Sequence, residues 1–312
     1  MRRRTEGLAR SVHDRLKAKA EADGRPFAEL LDLFGIERLL HRLGTSRHRD
    51  RFVLKGALLV RQWVGSQTRP TRDVDLMGPP GLDANNLRAT IAHILETRVE
   101  DDGIEFDASS IRIEPIREAL PSPGYRVRFQ GHLGQAVIHY QVDIVSAESV
   151  SLPDSRLKIP GLLNLPVAEI RCYTPYAVVA EKVEAIVALG DANSRMKDYY
   201  DLASLAAGLA FDGEPLVEAI RLCFSQRATA IPAAVPVGLD EAYATDGGKA
   251  TMWRAFLRRS ALSVTEAEFT DVVRDIRRFV LPALDAARTG EKFHKEWRPG
   301  GPWNVRRGAH GA

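Results

Sequence analysis

Cysteine is nearly absent. Cys172 and Cys223 are the only two in 312 residues, too few and too isolated for a disulfide framework or a zinc site, and their scarcity points to a reducing compartment. Long hydrophobic runs are missing too. No stretch reaches the roughly 18 apolar residues of a membrane-crossing helix, and no apolar segment follows the opening arginines as export would require. The sequence therefore implies a cytoplasmic protein without a membrane partner. No internal repeat is visible, so a stacked-repeat architecture is not expected. Charge of one sign is barely in excess, with 44 Lys and Arg against 41 Asp and Glu.

The remainder is ordinary globular material, 45% hydrophobic and 27% charged, enough to bury a core. The length suits two domains, or one large domain with an extension. The slight basic excess is unevenly placed. Arg2, Arg3, Arg4, Arg47, Arg49, Arg51 and Lys55 fall toward the stretch described next, as a surface for a polyanion would, although an arginine-rich N-terminus also reads as a solvated tail.

That stretch runs from Phe52 to Met77. A short β-prone run, Phe52-Val53-Leu54, stops at Gly56, and Ala57 to Trp63 suits a helix. Gly65, Ser66 and Pro70 break the helix. Arg72-Asp73-Val74-Asp75-Leu76 then alternates with a period of two, which puts Asp73 and Asp75 on one face and Val74 and Leu76 on the other. Asp-x-Asp alone also fits a solvated strand face. Two neighbouring carboxylates repel each other, however, and a hard divalent cation such as Mg²⁺, which takes oxygen ligands together with substrate phosphates, removes the repulsion. Gly56 at the strand-to-helix junction would let a triphosphate approach the free N–H groups of the helix start.

Around it, Thr5 to Ala22 and Phe27 to Leu43 read as helices, the second punctuated by Gly35 and Gly44, and Asn85 to Thr97 reads as an amphipathic helix. Ile111 to Pro115, Tyr125 to Phe129 and Ala136 to Val145 alternate as strands. The last of these carries Asp143, a costly residue in a β-branched run unless it has a partner. Pro153, Pro160 and Pro166 mark a linker, beyond which strand signals stop. Pro175 to Leu189 is helical and carries Lys182, which ordinarily would be a solvent-facing charge. Ser194 can cap a helix holding Lys197, Asp198 and Asp201, where Lys197 is spaced to pair with Asp201. Three more amphipathic helices follow. Thr289 to Ala312, rich in Gly, Pro and basic residues, reads as a flexible tail with Trp297 and Trp303 as anchors.

A glycine at a helix start, one helix as spacer, and Asp-x-Asp on the next strand resemble the DNA polymerase β-like nucleotidyltransferases. More narrowly, RDRFVLKGALLVRQW and RPTRDVDL, with AEKVEAIVALGDANSRMKDYYDL downstream, resemble the AbiEii toxin family, whose mycobacterial members are the MenT toxins of type IV-style toxin-antitoxin pairs. The likeness runs from about Gly24 to near Leu281. It implies an α+β fold: an N-terminal nucleotidyltransferase domain (1–165) with a mixed β-sheet flanked by helices, a C-terminal α-helical bundle (166–288), and the tail (289–312). One departure stands out, since the family usually has a second Gly followed by Thr after Lys55-Gly56, where this chain has Ala57 and Leu58.

The resemblance also implies chemistry. Asp73, Asp75 and Asp143 would hold Mg²⁺ on a nucleoside triphosphate. Lys55, Gly56, Ser66, Arg69, Thr71, Lys182 and Lys197 would bind the nucleotide, and Asp198 or Asp201 would orient a lysine or act as base. The implied reaction moves a nucleoside monophosphate to RNA, at the 3′ end of tRNA, inhibiting translation and growth. A protein hydroxyl as acceptor and kinase-like phosphoryl transfer are the alternatives. A cognate antitoxin, protein or kinase-like, is the implied partner, with Thr71 as a position for silencing phosphorylation.

Overall fold

The computed structural model describes residues 2–65, 68–116, 124–146, 152–260 and 268–305. The charged N-terminal segment forms α1 (Arg2–Asp23), which buries Ala9, Val12, Leu16 and Ala20 at helical spacing and packs on α2 (Phe27–Thr45). Gly35 and Gly44 do not break α2 as their positions suggested. A side chain at Gly35 would overlap the Tyr140 hydroxyl, and one at Gly44 would meet the Glu169 carbonyl, so both glycines serve close approach. Arg42 of α2 grips Asp102 through two hydrogen bonds of 2.7 and 3.1 Å, a buried pair that ties this helix to the start of the next strands.

The chain then gives β1 (Val53–Lys55), α3 (Ala57–Val64), β2 (Asp73–Gly78), α4 (Ala84–Leu95), β3 (Ile104–Ile116), β4 (Gly124–Leu133), β5 (Ala136–Ser146), β6 (Asp154–Ile159) and β7 (Ala168–Tyr173). Seven strands form one mixed sheet in the order β3-β4-β5-β2-β1-β7-β6. β2 runs parallel to β5 and β1 parallel to β7, while β1–β2, β3–β4 and β4–β5 are antiparallel. Val74, Leu76, Ile138, Tyr140, Val142 and Ile144 are buried on one face, where α2 packs on β5 and α4 on β3. Period-two alternation therefore leaves the odd-numbered residues of β2 and β5 on the opposite face.

Strand structure does not end at Pro153. The prolines at 153, 160 and 166 lie outside β6 and β7 rather than inside them, where a missing N–H does no harm to the ladder. Ile170 and Cys172 of β7 are buried, which is the alternation the linker reading passed over.

Two compact units result. The first comprises Met1–Leu58 and Pro70–Cys172, and the second comprises Leu59–Arg69 and Tyr173–Ala312. The second unit is largely helical: α5 (Pro175–Leu189), α6 (Met196–Gly208), α7 (Gly213–Gln226), α8 (Glu241–Thr245), α9 (Gly247–Arg259) and α10 (Phe269–Thr289). α5 packs on α7, and α10 packs on α6 and α7. It also holds a small sheet of β8 (Phe211–Asp212), β9 (Lys295–Trp297) and β10 (Trp303–Val305). The stretch to Val305 is thus folded, not a flexible tail. Trp297 is buried and donates its indole N–H to Ala206 O at 2.7 Å, and Trp303 donates to Phe279 O at 2.8 Å.

Candidate active site

Strand register brings together what the sequence separates. Lys55 on β1 lies opposite Asp75 on β2, Asp75 opposite Asp143 on β5, and Asp143 opposite Arg126 on β4. In the adjoining row, Asp73 faces Gln141, Gln141 faces Arg128, and Arg128 faces Arg112. Neighbouring strands lie about 4.8 Å apart, so the Asp75 and Asp143 backbones are immediate neighbours. All these residues project from the face turned away from α2 and α4. Aspartates occupy β2 and β5 and arginines β4, while on β3 Glu114 stands opposite Arg126 and accepts from Arg128 Nη1 at 2.7 Å.

Gly56 is required twice at this row. Its φ of +79° lies in the region that favours glycine, and a Cβ there would overlap Oδ2 of Asp75. The space beside its Cα is therefore filled by the Asp75 carboxylate, not left open. Gly56→Ala should push that carboxylate aside and strain the backbone by about 1–2 kcal/mol. If Asp75 acts on the substrate as the resemblance implies, a 1 Å displacement of its carboxylate costs on the order of 100-fold in rate. Steady-state transfer rates, beside an unchanged circular dichroism spectrum, check this; near-native activity would contradict it.

The other acids are already engaged. Arg126 forks onto Asp143, Nε to Oδ1 at 2.8 Å and Nη2 to Oδ2 at 2.7 Å, the geometry of a strong charge-assisted pair. Gln141 Nε2 donates to Asp73 Oδ1 at 3.1 Å. Among the described residues, no group of three or more His, Cys, Asp or Glu side chains is arranged as a ready metal cluster. Thr71 is half-buried, its hydroxyl 3.4 Å from Asp73 O, too long for a firm hydrogen bond. Ser66 lies outside the described residues.

In the second unit, Lys182 is buried and donates to Asp198 Oδ1 at 2.9 Å and to Asp201 Oδ2 at 2.7 Å. Arg69 forks onto Asp201 with two bonds of 2.9 Å, and Arg195 Nε reaches Asp198 Oδ2 at 2.6 Å. Burial pulls the Lys182 ammonium down, but the two carboxylates more than offset it and hold its pKa above the ordinary lysine value. Burial likewise pushes Asp198 up, and Lys182 and Arg195 outweigh it, leaving the carboxyl at about 2. Two of the three ammonium donors of Lys182 are spent on these acids; the third has no partner among the described residues.

Lys197 is exposed and makes no ion pair among the described residues, because Asp201 is already taken by Lys182 and Arg69. Ser194 does not cap α6. Arg195 holds the cap position, and its N–H donates to Asn193 Oδ1 at 2.8 Å instead. Sequence reasoning missed Arg126, Arg128 and Gln141 as neighbours of the acids. The signal was present in the alternation of Tyr125-Arg126-Val127-Arg128, but the facing residues follow only from the β4–β5 register.

An acid row on a sheet beside a glycine-started helix is the arrangement that the sequence resemblance implies for a nucleotidyltransferase. The family model for the nucleotidyl transferase AbiEii toxin of type IV toxin-antitoxin systems matches residues 38–287. The chain belongs to that family; it is a nucleotidyltransferase of the toxin class, with a nucleotide as substrate and an antitoxin as partner. No curated protein matches the chain. Among solved structures it is similar to a candidate nucleotidyltransferase from Helicobacter pylori, at 12% identity and a TM-score of 0.44, over 82% of this chain and 95% of that one. It is also similar to JHP933 from Helicobacter pylori, at 13% identity and a TM-score of 0.43, over 81% and 89%. No helix among the described residues is long and apolar enough to cross a membrane.

Proposed function

We propose that this nucleotidyltransferase moves a nucleoside monophosphate from a triphosphate to RNA, at the 3′ end of tRNA, and so arrests translation in the cytoplasm. The observation that carries the reading is the row of Asp75 and Asp143 in register on parallel strands, with Asp73 on the same face and arginines on the flanking strands. These donors fit Mg²⁺, since they are carboxylate oxygens with no thiol or imidazole among them. Bound there with the nucleotide, the ion would neutralise charge on the transferring phosphoryl group.

The protein's own part is positioning. Asp73, Asp75 and Asp143 would hold the cation, and Lys55, beside Asp75, would add positive charge for the phosphates. Arg126 would leave Asp143 on loading and turn to the triphosphate. Lys182 retains one donor for a phosphate, and Asp198 and Asp201 position it. Asp198, ionised and doubly paired, is a poor proton acceptor. Arg112, and Arg128 on leaving Glu114, would bind the RNA backbone. Thr71, two residues before Asp73, would offer its hydroxyl to a kinase-like antitoxin.

Incubation with total tRNA, a protein acceptor pool and each triphosphate, labelled in turn at the α- or γ-phosphate, tests the reading. α-Label in tRNA upholds it. α-Label confined to protein selects a protein hydroxyl instead, and transfer of γ-label selects a kinase.

The Arg126 fork makes a separate prediction. A guanidinium that holds both oxygens of Asp143 competes with a cation for them, so Arg126→Met should bind Mn²⁺ without nucleotide about tenfold more tightly than wild type, one such pair being worth about 1.5 kcal/mol or more. Isothermal titration reads this directly. Equal affinity in both proteins would show that Asp143 is not a ligand.

A further inference from the structure

A polar pocket lies at one end of the β1–β2 pair, away from the acid row. The segment between α2 and β1, the loop after β2 and the start of α4 enclose about 320 Å³, lined in part by Arg47, His48, Arg51, Leu82, Asn86 and Thr90. This volume falls at the lower end of small-molecule sites, roughly 300–1,000 Å³. Because β1 and β2 are antiparallel, with Val53 opposite Met77, the loops carrying Arg51 and Pro79 share one end of the strand pair. Pro79 is four residues beyond Asp75, about 13 Å along the strand at ~3.3 Å per residue.

The basic groups here do not satisfy one another. His48 is only 7% exposed, and its ring is approached from both sides, by Arg47 Nε at 3.4 Å from Nε2 and by Arg51 Nη1 at 3.4 Å from Nδ1. A neutral imidazole has one acceptor nitrogen and a protonated one has none, so no state of His48 accepts from both guanidinium groups. His93 stands edge-on to it at 5.0 Å, with its own Nδ1 buried and unpartnered. Asp83 is the one carboxylate in the lining, and it caps α4, accepting the N–H groups of Asn85 and Asn86 at 3.0 Å. Neither Arg47 nor Arg51 makes an ion pair with a carboxylate among the described residues. Burial, then the charges of His93, Arg51 and Arg47, depress the His48 pKa, and no carboxylate opposes them.

Two guanidinium groups around a cavity, with a buried imidazole between them that can accept from only one and with the one lining carboxylate spent on the α4 cap, describe a site built for an anion. We infer that this pocket binds a phosphate group, held by Arg47 and Arg51 and accepting the single N–H of the His48 ring. The guanidinium fork matches phosphate geometry. The phosphate would be either that of a free nucleotide or inorganic phosphate, or a backbone phosphate of bound RNA. The site is separate from the acid row and stands whether or not tRNA is the acceptor.

Isothermal titration of inorganic phosphate, and then of a short single-stranded RNA, into wild type, Arg47→Gln/Arg51→Gln and Asp75→Asn tests this. Both arginines are exposed, and circular dichroism verifies that the double variant folds. Wild type and Asp75→Asn should bind phosphate saturably, with the His48 ring resonances moving in parallel. The double variant should bind it at least about tenfold more weakly, because both charge-assisted donors are lost. Wild type without saturable binding, a double variant binding as tightly as wild type, or unmoved His48 resonances would each overturn the site. If RNA affinity falls together with phosphate affinity, the backbone is the source; if only phosphate affinity falls, the source is a small phosphate. Either result upholds the pocket.

Discussion

Asp75→Asn will lower transfer of labelled nucleotide to tRNA by about 10³-fold, the scale seen when one preorganised charge-stabilising group is removed from a transfer site, and will leave the protein folded. In the strand register Asp75 stands between Lys55 on β1 and Asp143 on β5. An asparagine keeps the volume, so the space beside Gly56 that the carboxylate now fills stays occupied. What disappears is one negative charge, which the proposed hold on a cation and its triphosphate needs. The circular dichroism spectrum should be unchanged. Removing divalent ions with a chelator should abolish wild-type transfer as thoroughly. If Asp75→Asn retains transfer within about tenfold of wild type, a loss too small for a group that holds the metal, the acid row is not the active site.

The sequence revealed this row unevenly. Asp73 and Asp75 could be placed on one face from alternation alone, because Val74 and Leu76 between and after them are apolar and buried. Asp143 could be put on the polar face of its strand for the same reason. That Asp143 is level with Asp75, not with Asp73, depends on the β2–β5 register, and no local pattern encodes a pairing between segments 68 residues apart in the chain. Arg126 was hidden for the same reason. In the helical half, spacing placed Asp198 and Asp201 together on one side of α6, but Lys182 looked like a solvated lysine from its own helix. It is buried because two acids from a different helix neutralise it. Gly35 and Gly44 misled in the opposite direction: their reason lies in Tyr140 and Glu169, which only tertiary packing brings near. The strands on either side of Pro160 were passed over because proline was read as a break, when it stood just beyond the ladder.

The cluster around Lys182 predicts an order of stabilities that a simple tally of salt bridges would leave equal, since Lys182 and Asp201 each take part in two. Within it, Lys182, Arg69 and Arg195 face Asp198 and Asp201, three cations against two carboxylates. Lys182→Met removes the surplus charge and leaves each acid with one arginine. Asp201→Asn instead leaves three cations to one carboxylate, with Lys182 buried between them. Stripping a buried charge of its partner costs about 3–5 kcal/mol, whereas replacing a charge by an apolar group of similar size in a balanced cluster is close to neutral. Urea unfolding should therefore show Asp201→Asn losing about 3 kcal/mol and Lys182→Met about 1 kcal/mol or less, although the two residues take part in the same number of ion pairs. Transfer should fail in both, because both disturb the ammonium proposed to meet a phosphate. The acid limb supplies a second readout. Asp198 at about 2 lies below its unfolded value, near 3.9, so its contribution is fully present above about pH 4 and is lost as pH falls toward 2. Lys182→Met should raise that carboxyl toward its ordinary value and narrow the window. A Lys182→Met protein less stable than Asp201→Asn would mean that Lys182 cements the helical unit and has no charge to spare for a nucleotide.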